Sequence, residues 1–324
     1  MSVESADIVA PGTTASSGAE VSPEAVPARR RRWTPRRLRE AGLGYLLLVP
    51  SLLVFGVFIF YPFFRNFYLG LFRTPPFPGL PKRYVGLEQY RDVLTSHDFL
   101  QSLRVTVVFA VMTVPVGIAL GLWLAVLAHQ RLRGIAIYRT IFSSTVATSV
   151  AVASVIFGTL MNPVVGLLPW LGLTTDPAIL ENPTWALPAV AVVTIWQNLG
   201  LSFIIMAAGL QAIPDDLLEA ANVDGAGPWR RFWLVTMPLM SPTIFFAVIV
   251  GSIFAFQTFG QIDLLTKGGP LGRTNVLTYF VYTSLHNENN DGKAAVLAVA
   301  LFCVTLVMTL FQMRFMERRV HYGR

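Results

Sequence analysis

The sequence carries little charge for its length. Only 13% of its 324 residues are Asp, Glu, Lys or Arg, whereas 54% are hydrophobic, and the mean hydropathy is +0.57. Soluble domains carry about 25% charged residues, so about half of the expected charge is missing. This deficit argues against a soluble enzyme or a nucleic-acid binder and indicates an integral membrane protein.

The sequence is also poor in residues that form disulfides or bind metals. Its single cysteine, Cys303, lies in an apolar run and cannot form an intramolecular disulfide. The histidines are scattered along the chain and form no ligand cluster. We therefore predict no metal site and no catalytic residues, which argues against a membrane-embedded enzyme.

Long uncharged runs are the main feature that is present. A bilayer core requires about 20 apolar residues per helix, and six runs reach that length. They span residues 43–64, 105–128, 140–161, 186–210, 241–262 and 294–313. The third is cut from a longer run at Asn162 and Pro163. The sequence thus predicts an all-α integral membrane protein with six transmembrane helices.

The positions of the basic residues predict the orientation in the membrane. Of the 25 Lys and Arg residues, 16 fall in the N-terminal segment, the second-to-third connection, the fourth-to-fifth connection and the C-terminus. Cytoplasmic segments retain Lys and Arg, so these four segments are predicted to face the cytoplasm. Both termini are then cytoplasmic.

Composition divides the chain into four regions. Residues 1–40 are predicted to be a disordered, basic cytoplasmic tail, because they have no apolar periodicity. Residues 41–100 hold the first transmembrane helix and an outer loop with a short surface helix at 87–94. The main transmembrane domain, 101–316, holds five helices and a loop at 212–240, and 317–324 form a second cytoplasmic tail.

The loop 212–240 contains strong helix signals. Pro214 suits the first turn of a helix, Asp215 and Asp216 stabilise its positive N-terminus, and Gly225 can adopt the left-handed conformation that ends it. A short helix at 215–224 is expected. Pro228 opens a second helix, and Pro238 is expected to mark the entry to the fifth span.

The residue pattern in this loop resembles a known signature. It is similar to the cytoplasmic signature of binding-protein-dependent ABC importer permeases. The matching pattern is Glu219-Ala220-Ala221, three residues, Gly225, nine residues, Val235, one residue and Met237-Pro238. Further similarity extends over YVGLEQYRDVLTSHDFLQSL, RGIAIYRTIF and LLTKGGPLGRTNVLTYFVY. These segments resemble the subfamily that imports sugars and glycerol phosphates, the maltose and glycerol-3-phosphate permease type.

The resemblance implies the six-helix fold of type I ABC importer permeases with a cytoplasmic coupling helix. It implies partners as well: a second permease, a dimer of ATP-binding subunits and an extracytoplasmic solute-binding protein in a bacterial plasma membrane. The ATPase contact would involve Glu219, Ala220, Ala221, Asp224, Gly225 and Pro238. Gly268, Gly269 and Pro270 would face the binding protein.

This chain lacks the phosphate-binding loop of ATPases. The segment GGPLGRT at 268–274 has no lysine at the required position and follows no strand. We therefore expect the chain to be no enzyme and to bind no cofactor, with ATP and Mg²⁺ held by the partner ATPase.

Polar residues inside the runs are candidates for a substrate path, since burying them requires a partner or a water-filled cavity. The fourth run has three at helical spacing, and the fifth has three more, of which Gln257 and Gln261 are expected to share one helix face. The six are Thr194, Gln197, Asn198, Gln257, Thr258 and Gln261. Hydroxyls and neutral amides suit the hydroxyl-rich faces of a sugar. Hydrogen bonds between helices are the alternative role.

An ion-coupled secondary transporter of a polar solute is the alternative function. Such proteins usually embed ionisable groups at membrane depth. The centres of the six runs contain no Asp, Glu, Lys or Arg, and Asp263 at the edge of the fifth is the nearest candidate. The sequence therefore favours the importer permease.

Overall fold

A computed structural model of the chain describes residues 35–75, 79–129, 134–172 and 176–316. Residues 1–34 of the predicted N-terminal tail and all of the predicted tail 317–324 lie outside the described residues. The chain divides into two units, Met1–Gly56 and Val57–Arg324. In the first unit the described part is one helix, α1 (Pro35–Phe55), which contains Pro50.

The second unit is mostly helical over the residues that are described. After a π-helical turn (Gly56–Phe60), its elements are α2 (Tyr61–Leu69), β1 (Phe72–Arg73), β2 (Arg83–Tyr84), α3 (Glu88–Leu94), α4 (His97–His129), α5 (Ile135–Ser144), a 3-10 turn (Thr145–Ala147), α6 (Val150–Leu160), α7 (Leu167–Trp170), α8 (Ala186–Gln211), α9 (Asp215–Val223), α10 (Pro228–Arg231), a second π-helical turn (Phe232–Thr236), α11 (Met237–Phe256), α12 (Gly260–Leu265), α13 (Leu277–His286) and α14 (Asp291–Met316). The two short strands pair antiparallel, with Phe72 opposite Tyr84. Helix α3 confirms the predicted surface helix in the loop after the first span.

Five helical segments are long and apolar enough to cross a membrane. They are Tyr45–Leu69, His97–His129, Ala186–Gln211, Pro228–Phe256 and Asp291–Phe315. A sixth candidate is the pair Ile135–Ala147 and Val150–Leu160, which is bent by 101°. The count of six is reached when this bent pair forms one span.

The third run is not the single helix that was predicted for 140–161. Thr148 adopts an extended conformation, and the Ser149 hydroxyl accepts a hydrogen bond from the Val152 N–H at 3.2 Å. Ser149 thereby caps the N-terminus of α6 and starts a new helix direction. Hydroxyl side chains that bond to nearby backbone compete with helix continuation, which is the physical reason for the break.

The fifth run also differs from the prediction. Helix α11 ends at Phe256, whose carbonyl accepts a hydrogen bond from the Thr278 hydroxyl at 2.7 Å, and the chain re-enters a helix only at Gly260. The expectation that Gln257 and Gln261 share one helix face is therefore wrong. A Cβ at Gly260 would lie 2.7 Å from Val150 Cγ1, so the glycine allows α12 to approach α6.

The entry to this span was also placed too late. The chain is helical from Pro228 through the π-helical turn into α11, so Pro238 lies inside a continuous helix. A proline in the first turn of α11 lacks only an N–H, and the π-helical turn before it accommodates the altered hydrogen bonding.

Helices α4 and α8 form the centre of the second unit. Their core includes Ile118, Phe203 and Met206, all buried. A Cβ at Gly121 would lie 2.7 Å from Ser202 Cβ, so the two helices approach closely where this glycine occurs. Small residues at such crossings allow packing between membrane helices, where the hydrophobic effect contributes little.

Candidate functional site

Helix α9 confirms the predicted short helix and its end. Asp215 and Asp216 occupy its first turn. At the other end, the Gly225 N–H donates to the Asn222 carbonyl and the Ala226 N–H to the Ala221 carbonyl, each at 3.0 Å. Gly225 has φ +74°, so the two bonds form a complete Schellman motif with glycine in the left-handed position.

The two alanines of the signature lie on different faces of α9. Ala221 is only 9% exposed, and its neighbour Leu218 packs against the core of this chain. Ala220 and Glu219 are exposed, and so is Asp224 after the helix. Ala221 therefore packs within this chain, while Ala220 lies on the surface that a partner can reach.

A side-chain bond joins α9 to the next helix. The Arg231 guanidinium donates to Asn222 Oδ1 at 2.8 Å. Trp229 and Trp233, also near the start of the long helix, are exposed and contact each other edge to face. The bond links α9 to the helix that continues into the span.

Thr194 and Asn198 line a cavity between α4, α8 and α11. Its volume is about 50 Å³, which is room for a few water molecules. The Thr194 hydroxyl bonds to the Val190 carbonyl, and Asn198 Nδ2 bonds to the Thr194 carbonyl, both at 3.0 Å and both within α8. These two side chains make no interhelical bond among the described residues, which favours a cavity-lining role over an interhelical one.

Gln197 and Gln261, in contrast, form hydrogen bonds to other elements. Gln197 Nε2 donates to the Thr148 carbonyl, at the break between the 3-10 turn and α6, and Gln261 Nε2 donates to Gln197 Oε1, both at 3.4 Å. Backbone groups released by a broken membrane helix need such partners. The interhelical alternative therefore describes these two glutamines.

The remaining path candidates lie outside the cavity. Gln257 is exposed after the end of α11, and Thr258 is buried and bonds to the Phe254 carbonyl at 3.1 Å. Thr113 and Ser202 do line the cavity and were missed from the sequence. Hydroxyl groups within the uncharged runs were the available signal, but which of them share a face between helices depends on the packing.

The segment Gly268-Gly269-Pro270 forms a tight loop between α12 and α13. Gly268 is buried with φ +79°, and the Thr274 hydroxyl donates to the Gly269 carbonyl at 2.6 Å. The exposed tip is Leu271, at 83% exposure. Under the loop, burial raises the pKa of the Tyr279 phenol, and Asp263 raises it further.

Comparisons with known proteins agree on one family. The model of the family described as "Binding-protein-dependent transport system inner membrane component" matches residues 117–322. The chain is 39% identical to the sn-glycerol-3-phosphate transport system permease protein UgpA of Agrobacterium fabrum over 87% of this chain and 97% of that protein. It is 33% identical to UgpA of Pectobacterium atrosepticum, over 88% and 97% of the two chains.

Two solved structures have a similar fold. One is a bacterial ABC transporter involved in the import of the acidic polysaccharide alginate, with a TM-score of 0.74 at 22% identity, covering 87% of this chain and 98% of that one. The other is a bacterial alginate ABC transporter in complex with an alginate pentasaccharide-bound periplasmic protein, with a TM-score of 0.77 at 21% identity over 89% and 99% of the two chains.

Proposed function

The chain belongs to the family of binding-protein-dependent transport system inner membrane components, and we propose that it carries sn-glycerol 3-phosphate or a closely related polyol phosphate. It is the membrane-spanning permease of an ABC importer rather than an ion-coupled transporter. The observation that supports this cargo is identity of 38–39% over nearly the full length of relatives named for sn-glycerol-3-phosphate.

Helix α9 is proposed to couple transport to ATP hydrolysis. Its exposed side, with Glu219, Ala220 and Asp224, would dock in a cleft of a partner ATPase that holds the ATP and Mg²⁺. Gly225 would end the helix, and Ala221 would fix it on this chain. Closure of two ATPase subunits would displace α9, and the Asn222–Arg231 bond would transmit the displacement to α11.

The path is proposed to run along the α4–α8 groove. Thr194 and Asn198 would contact the solute, in a cavity that a second permease completes. The cavity is too small for a sugar or a polyol phosphate in this conformation, so transport requires it to open. Pro270 and the exposed tip of its loop would contact the extracytoplasmic binding protein, while Gly268 and Gly269 shape the loop.

Both termini are proposed to lie in the cytoplasm of a bacterial cell, with the chain crossing the plasma membrane several times. This orientation places α9 on the ATPase side and the loop 267–273 outside. The distribution of Lys and Arg supports it.

Reconstitution tests the proposal directly. We expect the chain, co-expressed with its second permease and ATPase and supplied with the binding protein, to take up radiolabelled sn-glycerol 3-phosphate into proteoliposomes in an ATP-dependent way. Maltose and sn-glycerol 3-phosphate would be compared at equal concentration. Uptake of maltose alone would assign the chain to the sugar branch of the importers.

A further inference from the structure

A second pocket lies at the opposite end of α4 from α9. Its volume is about 740 Å³, and it is formed by the first turns of α4, residues 183–188 at the start of α8, and the loop that carries Leu271 and Arg273. The other end of α4 at His129 lies near Leu218 of α9. In the proposed orientation the larger pocket therefore opens on the external side.

The lining of this pocket is basic. It includes Arg104, Arg273 and His97, and no carboxylate, although the His97 ring lies 3.9 Å from the neighbouring Asp98. Neither arginine side chain has a hydrogen bond or an ion pair with another residue that the structure describes. Of the other cations on this side, Arg73 pairs with Asp92, Lys82 with Asp291 and Lys293 with Glu288, whereas Arg83, Arg91 and Lys267 have no ion pair among the described residues. Two exposed arginines whose charge no described residue neutralises therefore line the pocket.

Two bonds fix the elements that carry these arginines. Gln101 Nε2 donates to the Leu271 carbonyl at 3.2 Å, and the Leu277 N–H donates to the buried Thr106 hydroxyl at 2.8 Å. The bonds flank Arg104 on α4 and Arg273 on the loop. The separation of the two guanidinium attachment points is thus set before any ligand binds, which lowers the entropic cost of binding.

The pocket continues towards the proposed path. Val105, Met112 and Leu187 give it an apolar wall. Leu187 lies seven residues before Thr194 on α8, hence on the same helix face, and Thr194 lines the smaller cavity. A molecule held in the pocket would therefore stand at the mouth of the α4–α8 groove.

We propose that this pocket binds a phosphate group, with Arg104 and Arg273 as its ligands, and that the group belongs to a small phosphorylated solute about to enter the path. Guanidinium groups form paired, charge-assisted hydrogen bonds with phosphate oxygens. The apolar wall suits the carbon skeleton of the solute. Only the identity of that solute rests on the proposed function. A phospholipid headgroup presents the same chemistry and is the other source.

The test measures protection of a cysteine placed in the pocket. Leu100 lines the pocket and is 54% exposed, so Leu100→Cys in a Cys303→Ser background gives one reporter thiol. The assembled transporter in lipid-free detergent is labelled with a maleimide, with sn-glycerol 3-phosphate or glycerol added. At twice the Kd, bound sn-glycerol 3-phosphate should slow labelling about threefold by mass action, and glycerol should not.

Two variants locate the source of the protection. Removing each charged hydrogen-bond donor should weaken binding about tenfold, so Arg104→Gln with Arg273→Gln should abolish protection. Arg91→Gln removes one exposed charge from α3 outside the pocket and should leave protection intact. Equal protection by glycerol, or protection that survives the double variant, would overturn the proposal.

A lipid arm separates the two sources of phosphate. The labelling is repeated in nanodiscs of phosphatidylglycerol, again with the double variant. Protection by sn-glycerol 3-phosphate in detergent supports the solute, whereas arginine-dependent protection by the lipid alone assigns the pocket to a headgroup and overturns the solute assignment. Uptake is measured separately: a transporter that does not import sn-glycerol 3-phosphate but keeps arginine-dependent protection contradicts the proposed function and not the phosphate pocket.

Discussion

Gly225 and Gly227 occupy the same exposed turn but differ in backbone conformation. Gly225 has φ +74°, Gly227 has φ −61°, and a Cβ at either would meet no atom within 4 Å. Valine at 225 should therefore destabilise the folded turn by about 1–2 kcal/mol, because its Cβ disfavours the left-handed backbone conformation. Valine at 227 should be tolerated, because residues before a proline favour extended backbone.

We expect Gly225→Val to leave the chain in the membrane but to lower binding-protein-stimulated ATP hydrolysis and uptake together. Gly227→Val is the matched control and should retain both, and Gly225→Asn should be intermediate, since asparagine tolerates the left-handed region. The measurement is ATPase retention and stimulated hydrolysis in the purified assembly. Equal activity of the two valine variants would show that the Schellman turn has no part in coupling.

Gln197 and Asn198 are adjacent polar residues with different surroundings. Asn198→Leu should lower uptake while the assembly and basal ATP hydrolysis persist, since Asn198 lines the cavity and bonds only within α8. Gln197→Leu should instead reduce the yield and thermal stability of the assembled complex, since it leaves the Thr148 carbonyl without its partner. Size-exclusion profiles, thermal unfolding and uptake of both variants are compared. The same defect in both variants would show that Asn198 and Gln197 do not have different roles.

At the scale of the element, the helices that carry their own start and stop signals could be predicted. Helix α9 has acidic residues in its first turn and a glycine after its last, and the structure places it within one residue of the prediction. The break at Thr148 has no Pro, Gly or charge to announce it. Ser149 caps the new helix, but hydroxyl residues recur along this run, and the Gln197 side chain that bonds to the Thr148 carbonyl is 49 residues away in sequence, so local pattern could not place the break.

The same limit applies to the candidate site. The polar residues of the fourth run were found from helical spacing, but spacing could not separate Asn198, which faces the cavity, from Gln197, which supports the break. For the fifth run, spacing gave the wrong answer, because the Thr278 hydroxyl that satisfies the last carbonyl of α11 comes from α13. Tertiary contacts decided each of these points.

The different burial of Ala220 and Ala221 on α9 leads to a prediction at the scale of the element. Ala220→Arg should leave this chain folded and weaken ATPase retention about tenfold, if the added side chain costs 1–3 kcal/mol of overpacking at the docking surface. Ala221→Arg should lower the expression and stability of the permease itself, since Ala221 is buried in its own chain. Pull-down of the ATPase and thermal unfolding of the permease separate the two effects. Normal ATPase retention by Ala220→Arg would place the docking surface elsewhere.

At the scale of the whole molecule, composition was sufficient to predict membrane insertion. The thickness of the bilayer sets the length of apolar run that a spanning helix needs. Five of the six predicted runs correspond to helical segments long enough to cross. The proposed assignment of sides rests on the distribution of Lys and Arg and on the short α9, which is proposed to dock on a cytoplasmic ATPase.

Single cysteines in a Cys303→Ser background test that orientation. Leu87 and Asn287 are exposed beside α3 and α13, and Asp224 is exposed after α9. With both termini inside, Leu87→Cys and Asn287→Cys should react with a membrane-impermeant maleimide in intact cells, whereas Asp224→Cys should react only after the membrane is opened. Labelling of opened cells is the control for reactivity at all three positions. If Asp224→Cys were labelled in intact cells, α9 would be external, and it could not contact an ATPase that uses cytoplasmic ATP.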